Sequence, residues 1–263
     1  MKAIILAAGF GTRLRPWTDK HPKALVPVNG EPMLSKVIKK LIDEGYNRIV
    51  INTHHFAEQI EEYIGTSDFK AEIKISKELP DILDTGGGVK KALGLFNDKE
   101  EPVLVHNVDI LSDAPLSRLR ELHKEKGCNI SLITSDRKSS RKLIFNKAGR
   151  LKGWHNLNNN ETKPESYVEE EENHESAFSG IYFINPSIEK DLDDYSKFIG
   201  KESFPIMDFL LDSINKNDIG EIKLDKLNLI DIGKPETLAL ANGIFNENDD
   251  AHAGVGDACD ADC

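Results

Sequence analysis

Apolar residues along this chain follow two alternating patterns. Short continuous apolar runs are typical of buried strands, and between them apolar residues recur at every third or fourth position, which is typical of helices. Strand-like runs occur at Ala3–Leu6, Arg48–Asn52, Glu72–Ser76, Val103–His106, Asn129–Thr134, Ala177–Ile184, Ile219–Leu224 and Leu227–Ile232. Helical patterns follow Glu31-Pro32 and recur at Ala57–Ile64, Pro115–Lys126, Ser187–Leu192, Phe204–Ile214 and Pro235–Ile244. The alternation predicts an α/β protein in which helices flank a mainly parallel sheet.

The pattern changes after Ser135. Residues 142–154 predict a hairpin with its turn at Lys147-Ala148-Gly149, and residues 156–175 are polar, as in a surface loop. We therefore expect one Rossmann-like domain over residues 1–244. Its sheet should be mixed but mainly parallel, with a small β-rich elaboration added late in the chain.

Composition and charge narrow the classes of function. With 263 residues and a net charge of −11, the chain is long enough for an enclosed core and is unlike proteins that bind nucleic acid through basic patches. No apolar run approaches the ~20 residues of a membrane span, and the first run leads into Gly9 without a signal-peptide cleavage context. We therefore expect a cytoplasmic protein without nucleic-acid or membrane partners.

The last residues differ from the rest of the chain. Residues 245–263 are acidic and lack apolar periodicity, which predicts a disordered tail. The cysteines, Cys128, Cys259 and Cys263, are too few and too unevenly placed for a disulfide framework. Cys259 and Cys263, with His252 nearby, leave a metal site as the less favoured interpretation of the tail.

The segment after the first strand carries the clearest chemical signal. Gly9 and Gly11 let the backbone approach a ligand closely, and consecutive N–H groups there can hold phosphate oxygens. Neither common phosphate-binding motif fits, because the P-loop lysine is missing and Leu14 stands where a dinucleotide fingerprint has its third glycine. Cations follow at Arg13, Arg15, Lys20 and Lys23. The segment predicts a site for a nucleoside triphosphate.

The same segment has a wider resemblance. Leu6-Ala-Ala-Gly-Phe-Gly-Thr-Arg-Leu-Arg-Pro-Trp-Thr18, followed by Pro22-Lys-Ala-Leu-Val-Pro-Val28, resembles the signature of the sugar-1-phosphate nucleotidyltransferases. The resemblance covers roughly residues 1–242. It implies the nucleotide-diphospho-sugar transferase type of fold, and an enzyme that makes an NDP-sugar and pyrophosphate from an NTP and a sugar 1-phosphate with Mg²⁺. The partners it implies are small-molecule substrates, and it leaves the oligomeric state open.

Two carboxylates stand at the ends of predicted strands. Asp109 follows a buried strand, and Asp231 precedes Gly233 and a proline-started helix. Spacing alone leaves metal binding and turn capping open for both. The family resemblance implies that Asp109, in Asn107-x-Asp109, and Asp231 hold Mg²⁺. The family usually has glycine where this chain has Val108.

A second glycine-rich segment, Asp84-Thr-Gly-Gly-Gly88, is expected to form a loop that opens a helix at Val89. A flexible turn is the alternative. The family resemblance implies that this loop holds the nucleobase. Together with the first segment, it predicts nucleotide-binding residues Leu6, Ala8, Gly9, Gly11, Thr12, Arg13, Asp84, Gly86 and Gly87.

The resemblance also assigns the remaining roles. It implies that Arg13 grips the leaving pyrophosphate and that Lys23 contacts the sugar phosphate or α-phosphate; Arg15 and Lys20 are expected to be solvated. Sugar-phosphate-binding residues are predicted at Lys23, Asn107, Ser179 and Gly180. Catalytic residues are predicted at Arg13, Lys23, Asp109 and Asp231.

Several hypotheses remain for the substrates. The sequences of residues 84–88 and 177–181 most resemble uridylyltransferases that act on N-acetylmuramate 1-phosphate, which favours UTP and that sugar. Mannose-1-phosphate guanylyltransferases are the alternative within the family. A catalytically silent nucleotide-sugar sensor is the alternative from another class, although the chain keeps both carboxylates and both cations.

Overall fold

The order of the elements confirms the predicted α/β alternation. The computed structural model describes the backbone of residues 1–252 and the side chains of residues 1–243. The strands are β1 (Lys2–Leu6), β2 (Pro27–Val28), β3 (Glu31–Pro32), β4 (Arg48–Thr53), β5 (Glu72–Lys77), β6 (Val103–Asn107), β7 (Ile110–Ser112), β8 (Ile130–Ser135), β9 (Arg141–Phe145), β10 (Leu151–Asn156), β11 (Glu161–Lys163), β12 (His174–Ile184), β13 (Ile219–Leu224) and β14 (Leu229–Asp231). The helices are α1 (Met33–Asp43), α2 (Ala57–Thr66), α3 (Asp84–Leu93), α4 (Leu116–Lys126), α5 (Ile188–Ile199), α6 (Ile206–Asp212) and α7 (Pro235–His252).

One large sheet organises the molecule. Strands β5, β4, β1 and β6 are parallel neighbours in that order, and β12 adds to β6 in the antiparallel sense. On its other edge, β12 pairs first with β9 and then with β8, which is followed by the parallel strand β13. The sheet is therefore mixed and mainly parallel at its centre, as predicted.

The central strand is buried on both faces. Ala3 and Ile5 pack into the core that includes α1, whereas Ile4 and Leu6 pack into the core that includes α3, α5 and α6. A strand that helices cover on both faces has a continuous apolar sequence, instead of one in which apolar and polar residues alternate. This is why the first strand could be recognised from its sequence.

The β-rich elaboration is also confirmed. Strands β9 and β10 form the predicted hairpin, and the short strand β11 extends it. The predicted helices at Ser187–Leu192 and Phe204–Ile214 differ in length from α5 and α6. The last helix runs on past Ile244 to His252. Residues 253–263, with Cys259 and Cys263, lie outside the described residues, so the domain boundary and the tail stay predictions.

One glycine-rich element differs from its prediction. Residues 84–88 do not form a loop before a helix, because α3 begins at Asp84 and contains all three glycines.

None of the described helices is both long and apolar enough to cross a membrane.

Buried His106 makes the stability of the fold depend on pH. The ring lies in β6 and its Nδ1 donates to the backbone carbonyl of Asn107 at 2.8 Å. Burial lowers the pKa of His106 from 6.5 to about 4. Since the unfolded chain then binds more protons than the native one, stability is full above pH 6.5 and falls as the pH drops toward 4.

Wild type should therefore lose about 2 kcal/mol of unfolding free energy between pH 8 and pH 5 through this residue. His106→Gln, which keeps a donor but does not titrate, should lose correspondingly less. Urea unfolding of both proteins at the two pH values measures the difference. Equal losses would show that His106 does not cause the pH dependence.

Candidate active site

Four of the predicted nucleotide-binding residues, Leu6, Ala8, Gly9 and Asp84, come together at the carboxyl edge of the parallel strands. Ligands of open α/β sheets bind at this edge. A cleft of about 190 Å³ opens here between the ends of β1 and β6 and the start of α3. Its lining includes the predicted residues Leu6, Ala8, Gly9, Lys23, Asp84, Asn107 and Asp109. We call this space the nucleoside cleft.

A larger cavity of about 790 Å³ adjoins it on the side of the β-rich elaboration. Its lining includes the predicted residues Arg13, Asn107, Ser179, Gly180 and Asp231. We call this space the sugar-side cavity. Asn107 lines both spaces, so they meet beside the end of β6.

A small antiparallel strand pair joins the backbones that carry the two aspartates. Strand β14 pairs with β7, which sets Asp231 opposite Ile110. The N–H of Ile232 donates to the carbonyl of Asp109 at 2.8 Å. Segments far apart in the chain are thereby joined, and the binding of one metal ion by both carboxylates stays a prediction.

Val108 does not disturb this arrangement. Its side chain is buried, and its N–H donates to the carbonyl of Leu6 at 3.1 Å. Its backbone is not among the non-glycine residues with positive φ. The usual glycine is therefore not required to place Asp109.

Lys23 is held directly against Asp109. Its ammonium group forms an ion pair with Asp109 Oδ2, and both side chains are largely buried. Gly11 makes room for the lysine: it has a φ of +64°, and a Cβ there would come within 2.7 Å of Lys23 Cβ. Gly11 therefore shapes the loop for Lys23, whereas it is not among the residues that line the nucleoside cleft.

Arg13 and the other carboxylate, Asp231, both lie next to Gly233. A Cβ on Gly233 would come within 2.6 Å of Arg13 Nη2 and 2.7 Å of Asp231 Oδ1, so only glycine leaves space between them. Arg13 therefore lines the sugar-side cavity and not the nucleoside cleft. Arg15 points away into an exposed pair with Asp19 at 3.1 Å, as a solvated loop charge would.

Gly180 gives Asn107 its place. The glycine has a φ of +78°, and a Cβ there would lie 2.9 Å from Asn107 Nδ2. Ser179 lines the same cavity, but its buried hydroxyl donates to the carbonyl of Ile133 at 2.7 Å. This hydroxyl therefore has a structural contact, and a role in substrate binding stays a prediction.

The glycines of α3 serve close packing. Gly86 donates its N–H to the carbonyl of Phe204 at 2.8 Å, and the N–H of Gly87 points to the same oxygen at 3.4 Å. A Cβ on Gly88 would lie 2.6 Å from Asn52 Nδ2. The residues of this segment that line the nucleoside cleft are Asp84 and Thr85, so a base contact by Gly86 or Gly87 stays a prediction.

Adding one methyl group to this helix should therefore destabilise the protein. In Gly87→Ala the new Cβ would collide with the carbonyl oxygen of Glu202, and we expect a loss of about 1–3 kcal/mol. The matched control is Gly65→Ala in α2, where nothing lies within 4 Å and a gain of about 0.5–1 kcal/mol is expected. Thermal unfolding compares them; two stabilised variants would contradict the packing argument.

Sequence reasoning missed a buried polar network beneath the nucleoside cleft. Asn52 accepts from the N–H of Ala7 at 2.6 Å and donates to Glu78 Oε1 at 2.7 Å. The other oxygen of Glu78 accepts from the N–H of Leu83 at 2.7 Å. Burial raises the pKa of Glu78. The network links the ends of β1, β4 and β5 to the start of α3. Its one sequence signal is the polar residue Asn52 at the end of the apolar run of β4.

The donor set of the site suits a hard divalent cation. The predicted ligands are Asp109 and Asp231, and among the described residues no cluster of three or more histidine, cysteine or acidic side chains could hold a metal ion. Mg²⁺ is usually held by one or two carboxylates, with waters and substrate phosphates completing its shell. The space kept by Gly233 beside Asp231 is consistent with that use.

Comparison with known proteins decides the family. The family model described as nucleotidyl transferase matches residues 2–247, nearly the whole chain. The chain belongs to the nucleotidyl transferase family. The resemblance noted in the sequence of the first loop is thereby confirmed.

Curated relatives of this chain include two kinds of enzyme. A mannose-1-phosphate guanyltransferase from Hypocrea jecorina is 29% identical over 239 residues, covering 90% of this chain and 62% of the relative. Mannose-1-phosphate guanylyltransferase 1 from Arabidopsis thaliana is 32% identical, covering 78% and 55%. An N-acetylmuramate alpha-1-phosphate uridylyltransferase from Caulobacter vibrioides is 41% identical over 110 residues, covering 41% and 45%. The chain thus spans only 45% to 62% of these relatives.

Solved structures confirm the fold of the chain. HddC from Yersinia pseudotuberculosis, complexed with GMP-PN, aligns with a TM-score of 0.71 at 21% identity and covers 93% of this chain and 99% of that chain. A UDP-glucose pyrophosphorylase complexed with UDP-glucose aligns with a TM-score of 0.72 at 19% identity, covering 94% and 98%. At these identities the likeness establishes the nucleotide-diphospho-sugar transferase type of fold.

Proposed function

We propose that this chain transfers a nucleotidyl group from an NTP to a sugar 1-phosphate and releases pyrophosphate. The observation that carries the proposal is that two adjoining spaces each have a carboxylate and a cation. Asp109 lines the nucleoside cleft and pairs with Lys23, Asp231 lines the sugar-side cavity with Arg13 near it, and the pairing of β7 with β14 joins their segments. A reaction between two phosphorylated substrates needs this arrangement.

The chemistry needs no strong general base. The second pKa of a phosphate ester is about 6, so the sugar phosphate is largely dianionic at neutral pH. One of its oxygens attacks the α-phosphorus of the NTP, the bond from that phosphorus to the bridging oxygen breaks, and pyrophosphate carries away the electron pair. The protein contributes positioning and cations around the developing charge.

The role of each residue in binding the substrates and stabilising charge follows from its position. The nucleoside cleft, bounded by Ala8 and Asp84, orients the nucleoside. Lys23 holds positive charge at Asp109, where the reacting phosphates would meet. Arg13 supplies a guanidinium fork beside Asp231, suited to phosphate oxygens. Asp109 and Asp231 would hold Mg²⁺, which when bound supplies charge that neutralises the phosphates.

For the substrates, UTP with N-acetylmuramate 1-phosphate is the favoured pair, as for the relative from Caulobacter vibrioides at 41% identity. GTP with mannose 1-phosphate is the alternative, supported by relatives that match more of the chain at 29% and 32% identity. A cytoplasmic location and a part in cell-wall precursor synthesis accompany the first pair.

A screen of pyrophosphate release tests the proposal. The protein is incubated with Mg²⁺, each of the four NTPs and a panel of sugar 1-phosphates that includes the two favoured sugars. Release that requires both substrates is the expected result. If nucleotides or NDP-sugars bind without any release of pyrophosphate, the silent sensor becomes the better account.

A further inference from the structure

One wall of the sugar-side cavity is unusually rich in positive charge. The segment from residue 137 to residue 142, which leads into β9, contributes Arg137, Arg141 and Lys142 to the lining, with two serines between them. Within residues 1–243 none of these three cations forms an ion pair with a carboxylate, whereas the protein as a whole carries a net charge of −11. The local charge is therefore opposite to that of the molecule.

Arg137 is the most constrained of the three. Its Nη2 donates to the carbonyl of Phe178 at 2.7 Å, and its own carbonyl accepts from Lys142 Nζ at 3.0 Å. Its Nε is buried and has no hydrogen-bond partner among the described residues. Burial lowers the pKa of Arg137, and the charge of Asp231 acts in the opposite direction.

Three cations that line one wall of a cavity and form no ion pair within residues 1–243 favour an anionic ligand. Burial makes an opposite charge more valuable to a cation, and a carboxylate can accept two parallel hydrogen bonds from one guanidinium. Arg137 already has its fixed orientation from Phe178, so little freedom would be lost on binding. The wall is thus a preformed anion site.

The reacting phosphate is not the best occupant of this site. The sugar 1-phosphate must place its phosphorus-bound oxygen near Asn107 and Asp109, where the two spaces meet and where Lys23 already supplies a cation. Residues 137–142 line only the sugar-side cavity and do not reach the nucleoside cleft. A second anionic group on the sugar would therefore lie against this wall.

We infer that the sugar 1-phosphate substrate carries a second anionic group, a carboxylate, and that Arg137 binds it with Arg141 and Lys142. This inference rests on the proposed function and selects among its substrates. Trp154 and Phe178 line the same cavity and offer apolar surface to the uncharged part of the sugar. Arg137 is then a residue that determines specificity for an acidic sugar over a neutral one.

Two sugar phosphates that differ by one acidic substituent test the inference. N-acetylmuramate 1-phosphate bears a lactyl carboxylate, and N-acetylglucosamine 1-phosphate is the same sugar without it. Wild type should prefer the acidic substrate. Arg137→Met should lower kcat/KM for the acidic substrate by about 10- to 100-fold and leave that for the neutral one nearly unchanged. Arg137→Lys, which keeps the charge, should recover part of the loss.

The matched control is Arg118→Met. Arg118 lies on the exposed face of α4, pairs with Glu125 at 3.2 Å and lines neither space, so this variant should behave as wild type with both substrates. Thermal unfolding of each variant confirms that it is folded. The preference of wild type needs no variant and remains a test if Arg137→Met does not fold.

Three results would overturn the inference. Equal kcat/KM values of wild type for both substrates would show that the protein does not recognise the carboxylate. Equal losses for both substrates in Arg137→Met would assign Arg137 to the shared phosphate or to the placement of Asp231. If no NTP gives pyrophosphate with any sugar 1-phosphate of the panel, the proposed function itself fails and the inference falls with it; release with neutral sugars alone removes only the inference.

Discussion

Asp109→Asn and Asp231→Asn are each expected to lower turnover by more than about a hundredfold, the scale seen when a preorganised electrostatic contact to the reacting centre is lost. Both changes keep the size of the side chain and remove its charge. The pairing of β7 with β14 joins the two segments that carry the carboxylates, and an amide is a much poorer ligand for Mg²⁺ than a carboxylate. Steady-state kinetics over a range of Mg²⁺ concentrations measures the effect.

The double variant makes the test sharper. If both carboxylates serve one cation, the doubly substituted protein should be hardly slower than the slower single variant, because the effects of residues that act as a unit are not additive. Asp113→Asn is the matched control, since Asp113 lies next to the same strand pair but binds Asn228 at 3.0 Å and lines neither space. Near wild-type turnover of Asp109→Asn at moderate Mg²⁺ would overturn the metal assignment.

Lys23→Ala is expected to lower kcat by about 10²- to 10³-fold, because Lys23 is the cation held at Asp109. Arg13→Ala should both raise the KM for the NTP and lower kcat, since its guanidinium lies beside Asp231 and can hold two phosphate oxygens. Kinetics with the best substrate pair from the screen separates the two patterns.

Arg15→Ala is the control from the same loop. Its side chain is 65% exposed and pairs only with Asp19 among the described residues, so its loss should cost far less than that of Lys23 or Arg13. Three mild and equal effects would mean that the loop is only generally basic. The roles of Lys23 and Arg13 would then have to be withdrawn.

The central strands and the position of Asp109 could be predicted because their signals are local. A strand buried on both faces has an uninterrupted apolar sequence. The residue after such a strand lies at the carboxyl edge of the sheet, where ligands bind. Asp109 and Asp231 needed the family resemblance, because spacing alone did not separate a metal ligand from a turn cap. The pairing that joins them links segments distant in the chain, and nothing local indicates it.

The features that were missed depend on tertiary contacts. Glycine is a poor helix former, so residues 84–88 favour a loop prediction. Only the packing of Gly87 against the carbonyl of Glu202 and of Gly88 against Asn52 explains glycines inside α3. Arg137 belongs to no recognisable motif; the role we infer for it follows from its place on the wall of a cavity that the sequence does not reveal.

The most direct test of the account follows the phosphorus atoms of the NTP. With the preferred sugar 1-phosphate, label in the α-phosphate should appear in the NDP-sugar and label in the γ-phosphate should appear in pyrophosphate, and Asp109→Asn should slow both transfers together. Transfer of the γ-phosphate to the sugar, or its release as inorganic phosphate without any NDP-sugar, would contradict nucleotidyl transfer at this site.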